Sequence, residues 1–336
     1  MVKYAAFLTV SVFLLVAVPA ANAQDAGTWT TVEAEGEPVP RHEAAFVEFD
    51  GKFYLIGGRG RRPVSVYDPE TNVWSNHARP PYQVHHFQPV VYGDAVYLMG
   101  AMTGGFPNET GLEKVLVYYP REDRFEELHE VPEERRRGGA GAVLHEGKIY
   151  LVGGIVRGHM GGFVPWFDEY DPETGEWRQL PDAPTARDHF QATMVGSKIY
   201  AAGGRQTSRE TGELFSRTIP EVDVFDFATG EWTQLDEDLP TPRAGSMSIT
   251  VGDEVIVVGG ESTAQRTAHA EVEGYSERRG HWRSLPSLNR GRHGSGVILH
   301  KGFICTCSGS GNRGGAPELK SMEKLYVGEN GESLAE

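Results

Sequence analysis

The chain has 336 residues, with 32 Lys or Arg against 47 Asp or Glu, and a formal net charge of -15. This acidic balance argues against wholesale binding to nucleic acid or to an anionic membrane surface. Gly (42 residues) and Pro (20 residues) are frequent and the hydrophobic share of 39% is ordinary, so the composition predicts a globular protein with many turns.

Residues 1–23 have the pattern of a secretory signal peptide. Lys3 precedes an apolar run from Ala5 to Val18, and the small residues Ala21-Asn22-Ala23 follow it. We therefore expect cleavage before Gln24 and a secreted or periplasmic protein, without membrane insertion after signal cleavage. An uncleaved N-terminal anchor is the alternative.

One unit then recurs along the chain: a turn, a strand of apolar residues, and a pair of residues that is usually Gly-Gly. Four clear copies run 52–58, 148–154, 198–204 and 254–260, and two degenerate copies run 96–101 and 304–309. The first position of each pair falls at 57, 100, 153, 203, 259 and 308. A repeat with a spacing of about 50 residues predicts a repetitive architecture with one structural unit per interval.

A second pattern follows each pair: an aromatic residue and, seven positions later, usually a Trp. The couples are Tyr67 and Trp74, Tyr118 and Phe125, Tyr170 and Trp177, Phe225 and Trp232, and Tyr275 and Trp282. Turn sequences such as Asp68-Pro-Glu-Thr-Asn lie between them, so each unit offers four short strands. The chain resembles the kelch repeat family, whose signature is a Gly pair followed by a spaced Tyr and Trp. This resemblance covers nearly all of residues 29–328 and implies an all-β, six-bladed kelch-type β-propeller.

The last unit lacks its fourth strand, because Tyr326 is followed seven residues later by Ser333. The missing strand is predicted at the other terminus, where Trp29–Val32 matches Trp177–Leu180. We therefore expect the N-terminal strand to join the C-terminal blade and close the ring. The predicted organisation is a signal peptide over 1–23, one propeller over 24–328 and an acidic tail over 329–336.

The two cysteines, Cys305 and Cys307, occupy strand positions in the last unit. Residues two apart on a strand have Cα atoms roughly 6.5–7 Å apart, too far for an easy disulfide, so we expect both thiols to be free and buried. A copper radical oxidase of the galactose-oxidase type would need a Tyr joined to a Cys. Core strand positions for both cysteines disfavour that enzyme.

The connections between second and third strands are long, spanning 10 to 22 residues from the first pair position to the aromatic. The turns between first and second strands are tight, so all the long connections lie on one face of the propeller, the long-loop face. Binding residues concentrate on variable loops held by a rigid scaffold. The long-loop face is therefore the predicted binding face.

Five arginines stand sixteen residues before the first pair position, at the start of the first strand, and we call them the arginine register: Arg41, Arg137, Arg187, Arg243 and Arg292. Arg59 and Arg205 follow Gly pairs, and His42, His189 and His293 lie one or two positions after the register or its equivalent. These ten residues are the candidate ligand-binding set, in which guanidinium groups hold an anion bidentately. The alternative is structural: the arginines bond neighbouring backbone and pack their stems between blades.

Histidines that converge on one axis could bind copper or zinc. They belong to different blades, however, and no short metal-spacing motif supports them. The sequence therefore predicts neither a metal site nor a cofactor.

We predict a monomeric binding protein, not an enzyme, whose long-loop face recognises an anionic or carbohydrate-like ligand or a protein or peptide partner. The alternative is an exported carbohydrate-active isomerase, since exported bacterial kelch proteins include sialic-acid epimerases. Acid–base catalysis of that mutarotase type needs groups that titrate near the working pH, and Glu43, Asp188, His189 and Glu261 could supply them. No residue is assigned a catalytic role.

Overall fold

Each of the six repeat units folds into a four-stranded antiparallel sheet in this computed structural model, which describes residues 27–328 together with Met1 and Gly331. The all-β, six-bladed propeller predicted from the repeats is confirmed. The predicted signal peptide, apart from Met1, and the predicted acidic tail, apart from Gly331, lie outside the described residues.

The strands of each blade follow the chain from the axis outward. The first strands are Ala44–Phe49, Gln88–Tyr92, Gly141–His145, Ala192–Val195, Met247–Val251 and Gly296–His300. The second strands are Lys52–Gly57, Ala95–Met99, Lys148–Val152, Lys198–Ala201, Glu254–Gly260 and Phe303–Cys307. The third strands are Ser65–Asp68, Lys114–Tyr119, Phe167–Tyr170, Asp223–Asp226, His269–Ser276 and Met322–Tyr326. The fourth strands are Val73–Asn76, Arg124–Glu130, Trp177–Leu180, Glu231–Gln234, His281–Leu285 and, for the sixth blade, Thr30–Thr31.

The long connections contain the remaining regular structure. A two-stranded hairpin, Met102–Thr103 and Thr110–Gly111, lies in the second blade, and the third blade holds a turn of 3-10 helix at Gly158–Met160. Another 3-10 turn, Glu133–Arg135, precedes the third blade. Within residues 27–328 there is no helix of the length and apolarity that crossing a membrane requires.

The second strands are apolar along most of their length because both faces of a blade are covered by neighbouring blades. The apolar core is accordingly divided into six clusters, one in each interface between adjacent blades. The predicted aromatic couples pack across the third and fourth strands, with ring centroids 5.2 Å apart for Tyr67 and Trp74 and 4.8 Å apart for Tyr170 and Trp177. The Gly pairs turn the chain where no Cβ fits: a Cβ at Gly153 would lie 2.6 Å from the carbonyl oxygen of Arg187 in the next blade.

The N-terminal strand completes the sixth blade, as predicted. Thr30 pairs with Lys324 and Thr31 pairs with Glu323, both antiparallel. Trp29 is only 3% exposed, and its indole Nε1 donates to the carbonyl oxygen of Pro286 at 2.7 Å. The first strands of adjacent blades pack side by side around the whole ring, so the fold is a closed circle. Both cysteines are free and buried, which confirms that prediction as well.

Candidate functional site

The arginine register lies inside the blades. All five side chains are buried, and each guanidinium donates to carbonyl oxygens of its own blade. Arg187, for example, donates to Gly203 at 2.8 Å and to Glu221 at 3.1 Å, and it pairs with the Asp223 carboxylate at 2.9 Å. This geometry favours the structural alternative, because all five guanidiniums are buried within the blades and bonded to the backbone of their own blade.

A carboxylate in the third strand accompanies four of the five register arginines. The pairs are Arg137 with Asp168, Arg187 with Asp223, Arg243 with Glu273, and Arg292 with Glu323. In the first blade the hydroxyl of Ser65 takes this place, 3.1 Å from Arg41. The second blade has neither group: Val84 replaces the arginine and Leu116 replaces the acid, both fully buried. The register is therefore an ion pair in four blades, an arginine–serine hydrogen bond in the first blade and an apolar contact in the second.

The axis carries a second set of equivalent positions, which we call the axial register: Glu43, His86, Gly139, His189, Gly245 and Gly294. All six have left-handed backbone, with φ between 53° and 64°. Such conformations cost a non-glycine residue of order 1–3 kcal/mol and persist where the surrounding structure imposes them, often at functional sites. Only three members therefore bring side chains to the axis.

Backbone hydrogen bonds link the axial register into a circle. Each member donates its N–H to the carbonyl oxygen of the member before it, from His86 to Glu43 at 3.1 Å through to Gly294 and Gly245 at 2.9 Å. In the first blade the neighbouring Ala44 donates to Gly294 at 3.1 Å and closes the circle. The six blades are thus joined directly at the axis.

Three buried imidazoles meet above this circle, and we call His86, His159 and His189 the histidine cluster. His159 comes from the 3-10 turn in the long connection of the third blade. One ring nitrogen from each of the three lies within 4.8 Å of the others. Sequence reasoning could not place His159, because its position depends on the path of a long connection.

Buried carboxylates surround the histidine cluster. Glu109 accepts from His159 Nδ1 at 3.0 Å and from Arg59 at 2.6 Å. Burial alone would raise the pKa of Glu109, but these two donors hold it well below its usual range. Asp188 accepts from His189 Nδ1 and from the Thr207 hydroxyl, the latter at 2.6 Å. Both acids therefore serve as charged acceptors that orient imidazoles.

A second buried group lies on the other side of the axis. Glu261 pairs with Arg205 at 2.5 Å, accepts from the N–H of Gly314 at 2.8 Å and lies 3.4 Å from His293. Burial alone would raise its pKa, but the charges of His293 and Arg205 lower the pKa of Glu261 to about 2. His42 lies at the edge of this region, 2.8 Å from Glu318.

The predicted site residues thus divide into two groups. The structure brings Arg59, Arg205, His189 and His293 into the axial network, and it keeps the arginine register apart in the blades. The axial cavity, lined by Glu43, His86 and His189 among others, has a volume of about 40 Å³. That is room for a water molecule but not for a sugar, whose pockets measure roughly 300 Å³ or more.

The accessible part of the long-loop face carries aromatic side chains stacked with arginines. Phe106 is 51% exposed, with Arg209 at 5.5 Å and Arg59 at 6.0 Å from its ring centroid. Two further stacks are Phe163 with Arg217 at 5.5 Å and Phe215 with Arg313 at 5.8 Å. A separate groove of about 760 Å³ between the second and third blades is lined by Tyr82, Trp166 and four glutamates, among others.

Comparison with known proteins gives consistent matches. The profile of the Attractin/LZTR1 beta-propeller family matches residues 22–268. The chain is 28% identical over 300 residues to Kelch-like protein terF of Aspergillus terreus, covering 83% of this chain and 63% of that protein. It is 25% identical over 291 residues to human Kelch-like protein 23, covering 85% of this chain and 48% of that protein.

The chain therefore spans less than two thirds of the length of these relatives. Among solved structures, that of YjhT is similar with a TM-score of 0.70 at 16% identity, covering 86% of this chain and 96% of that one. This similarity bears on the fold alone.

Proposed function

Since this chain belongs to the Attractin/LZTR1 beta-propeller family and is a kelch repeat protein, we propose that it is a non-catalytic binding protein that recognises a carboxylate-rich protein segment through its long-loop face. Kelch propellers typically bind proteins. A propeller fold alone does not settle a function, so the proposal depends on the composition of that face.

The three arginine–aromatic stacks carry the proposal. Aromatic residues and arginine are enriched in protein interfaces, where they supply most of the binding energy. Phe106 offers an apolar ring that solvent reaches, and Arg209 beside it is exposed. A guanidinium that stacks on a ring keeps its N–H groups in plane and free to bind a carboxylate edge-on.

The charge of the long connections agrees with an anionic partner. The six long connections span 58–64, 100–113, 153–166, 202–222, 261–268 and 308–321. Together they hold ten Lys or Arg against seven Asp or Glu, although the whole chain has a net charge of -15. Basic connections on an acidic protein attract and orient an anionic partner during encounter.

Binding of a labelled peptide rich in Asp and Glu, measured by fluorescence anisotropy, tests this function. We expect Phe106→Ala and Arg209→Ala each to weaken binding by about ten- to a hundredfold, through loss of an aromatic anchor in the first case and of a charge-assisted hydrogen bond in the second. Arg278→Ala is the matched control, because Arg278 is an exposed arginine in a turn on the opposite face, paired with Asp253 at 3.2 Å.

A peptide with Asn and Gln in place of the acids, and a sulfated glycan, complete the design. Equal affinity for the amide peptide would contradict recognition of carboxylates. Preference for the glycan would assign the face to carbohydrate instead of protein. If neither side-chain change alters affinity while the chain stays folded, the long-loop face is not the binding surface.

One observation favours an isomerase of acidic sugars as a second candidate: the Glu43 carboxylate lies 3.3 Å from His86 Nε2 and borders the axial cavity. A carboxylate and an imidazole in contact can exchange a proton, as acid–base catalysis requires. The cavity would have to enlarge by opening of the long connections. Anomer exchange of N-acetylneuraminic acid, followed by NMR with and without the protein and with Glu43→Gln, tests this candidate.

We further propose that the protein is exported to the periplasm or the extracellular space. The pattern of residues 1–23 supports this location. N-terminal sequencing of the protein recovered from the secreted or periplasmic fraction should begin at Gln24. A protein that stays in the cytoplasm with Met1 intact would contradict the proposal.

A further inference from the structure

The hydrogen-bond partners of the histidine cluster assign the tautomers of two imidazoles. His189 Nδ1 is hydrogen-bonded to Asp188, and His159 Nδ1 lies 3.0 Å from Glu109. An ionised carboxylate only accepts, so both Nδ1 atoms carry a proton, and in the neutral imidazole the Nε2 atom presents a lone pair. These two Nε2 atoms face each other at 3.2 Å, so either a shared proton or a metal ion must lie between them.

The third imidazole is oriented in the same way by a neighbouring histidine. His85 Nε2 lies 3.1 Å from the carbonyl oxygen of Gly104 and must donate to it, so His85 Nδ1 accepts the proton of His86 Nδ1 at 2.7 Å. The lone pair of His86 Nε2 is therefore free, and this buried atom has no hydrogen-bond partner within the described residues. The nearest charged atom is a carboxylate oxygen of Glu43 at 3.3 Å, another acceptor.

All three imidazoles are buried, and one ring nitrogen of each lies within 4.8 Å of the others. A neutral imidazole is the form that binds a metal ion. Three imidazole nitrogens and the Glu43 carboxylate thus converge on one buried site beside the axial cavity.

We propose that His86, His159 and His189 bind a divalent transition-metal ion, of which Zn²⁺ is the best match, with Glu43 or a water in the axial cavity as the fourth ligand. Zinc–nitrogen distances of about 2.0–2.1 Å in a tetrahedral site place ligand nitrogens roughly 3.3 Å apart. The 3.2 Å between the two Nε2 atoms of His159 and His189 matches this spacing. The calcium and magnesium class is disfavoured, because those ions prefer oxygen ligands.

The residues that hydrogen-bond to the three histidines have the arrangement found around protein metal sites. A metal-binding histidine almost always donates its other N–H to a carboxylate, a carbonyl or a similar acceptor, which fixes the orientation of the imidazole. Asp188, Glu109 and His85 supply these acceptors to His189, His159 and His86. The ion would join the long connection of the third blade to the second and fourth blades.

The test uses the full chain after treatment with a chelator. Calorimetric titration with Zn²⁺ should show one equivalent bound, and Co²⁺ bound in its place should give the intense visible absorption of a tetrahedral site. His159→Ala is the main variant, because His159 lies in a loop and its loss leaves the blades intact. We expect it to weaken Zn²⁺ binding by more than the roughly 10- to 100-fold lost when a supporting contact is removed.

Further variants separate direct ligands from other histidines. His86→Ala should behave like His159→Ala, and Asp188→Asn should weaken binding by about 10- to 100-fold, as expected of a positioning residue. His281→Ala, which changes an exposed histidine of the fifth blade, should leave binding unchanged. Circular dichroism shows whether each variant is folded.

Absence of stoichiometric binding, or binding that His159→Ala and His86→Ala leave unchanged in folded protein, would overturn the proposal. So would nitrogen-15 NMR spectra in which His159 and His189 share a proton that Zn²⁺ does not displace. The metal site is independent of the proposed peptide binding, because loss of Zn²⁺ binding says nothing about affinity for an acidic peptide. It shares Glu43 and His86 with the isomerase candidate, and a bound metal ion would occupy that pair.

Discussion

Four of the five register arginines form an ion pair within their blade, and the one blade that lacks the arginine also lacks the acid. Removing a single partner of a buried pair leaves an uncompensated charge, whereas exchanging both for apolar residues is often neutral. The second blade, with Val84 opposite Leu116, is the natural example of the double exchange. The same two side chains can therefore be tested in another blade.

We expect Arg187→Val to lower the free energy of unfolding by about 3–5 kcal/mol, because Asp223 remains buried without its partner. The double variant Arg187→Val/Asp223→Leu should recover part of this loss. Denaturant unfolding measures both. If the double variant is no more stable than Arg187→Val, the arginine stabilises the blade through its hydrogen bonds to carbonyl oxygens and not through the ion pair.

Glu261 gives the protein a specific sensitivity to acid. Its pKa in the folded chain is about 2, against an ordinary value of 4.5, so the unfolded chain takes up the proton first as the pH falls. The stability that this carboxylate contributes is therefore complete above its ordinary pKa and is lost between about pH 4.5 and 2, a change of roughly 3 kcal/mol.

The variant Glu261→Gln should accordingly be less stable than the wild type at pH 7, because Arg205 loses its partner. The difference in the free energy of unfolding should shrink as the pH falls towards 2. Denaturant unfolding at several pH values measures this difference. A constant difference across the range would contradict a low pKa for Glu261.

Individual residues also show which features of the site the sequence could not predict. The sequence places Arg187 and His189 correctly at the start of a first strand, but two residues in one register can point into the blade or towards the axis. An acidic residue lies two positions before the third-strand aromatic residue, as at Asp168 and Asp223. That pattern could have indicated that the register arginines point into the blade. His159 had no such signal, because a long connection has no periodicity that sets its path.

At the scale of elements, the N-terminal strand Thr30–Thr31 has only two residues, yet it closes the ring by joining the two ends of the chain. Its position could be predicted because Trp29–Val32 matches the fourth-strand sequence Trp177–Leu180. Strand alternation, aromatic spacing and Gly pairs were sufficient for the whole ring, since each blade buries both faces and repeats one local pattern.

We expect Trp29→Ala to lower the free energy of unfolding by about 3–5 kcal/mol, the usual cost of deleting a buried Trp side chain. Deletion of residues 24–33 should lower it further and promote aggregation, because the third strand of the sixth blade becomes a free edge. Deletion of residues 24–27 is the control, since it leaves Trp29 in place. An unchanged melting curve after the longer deletion would contradict closure by this strand.

At the scale of the whole molecule, the basic excess of the long connections on an acidic chain affects association kinetics. The association rate constant for an acidic peptide should fall as ionic strength rises, because salt screens the attraction between exposed charges. The dissociation rate constant should change much less. Stopped-flow measurements with increasing NaCl give both, and an association rate that is independent of salt would contradict electrostatic attraction.

The circle of backbone hydrogen bonds along the axial register has a consequence for amide exchange. Each blade is hydrogen-bonded through this circle to the blade before it and the blade after it. No blade can therefore move outward without breaking two backbone hydrogen bonds at the axis. The amide hydrogens of His86, Gly139, His189, Gly245 and Gly294 should therefore exchange with deuterium only when the entire propeller unfolds, at one common rate. Faster exchange at one of these amides would identify the seam at which the circle opens.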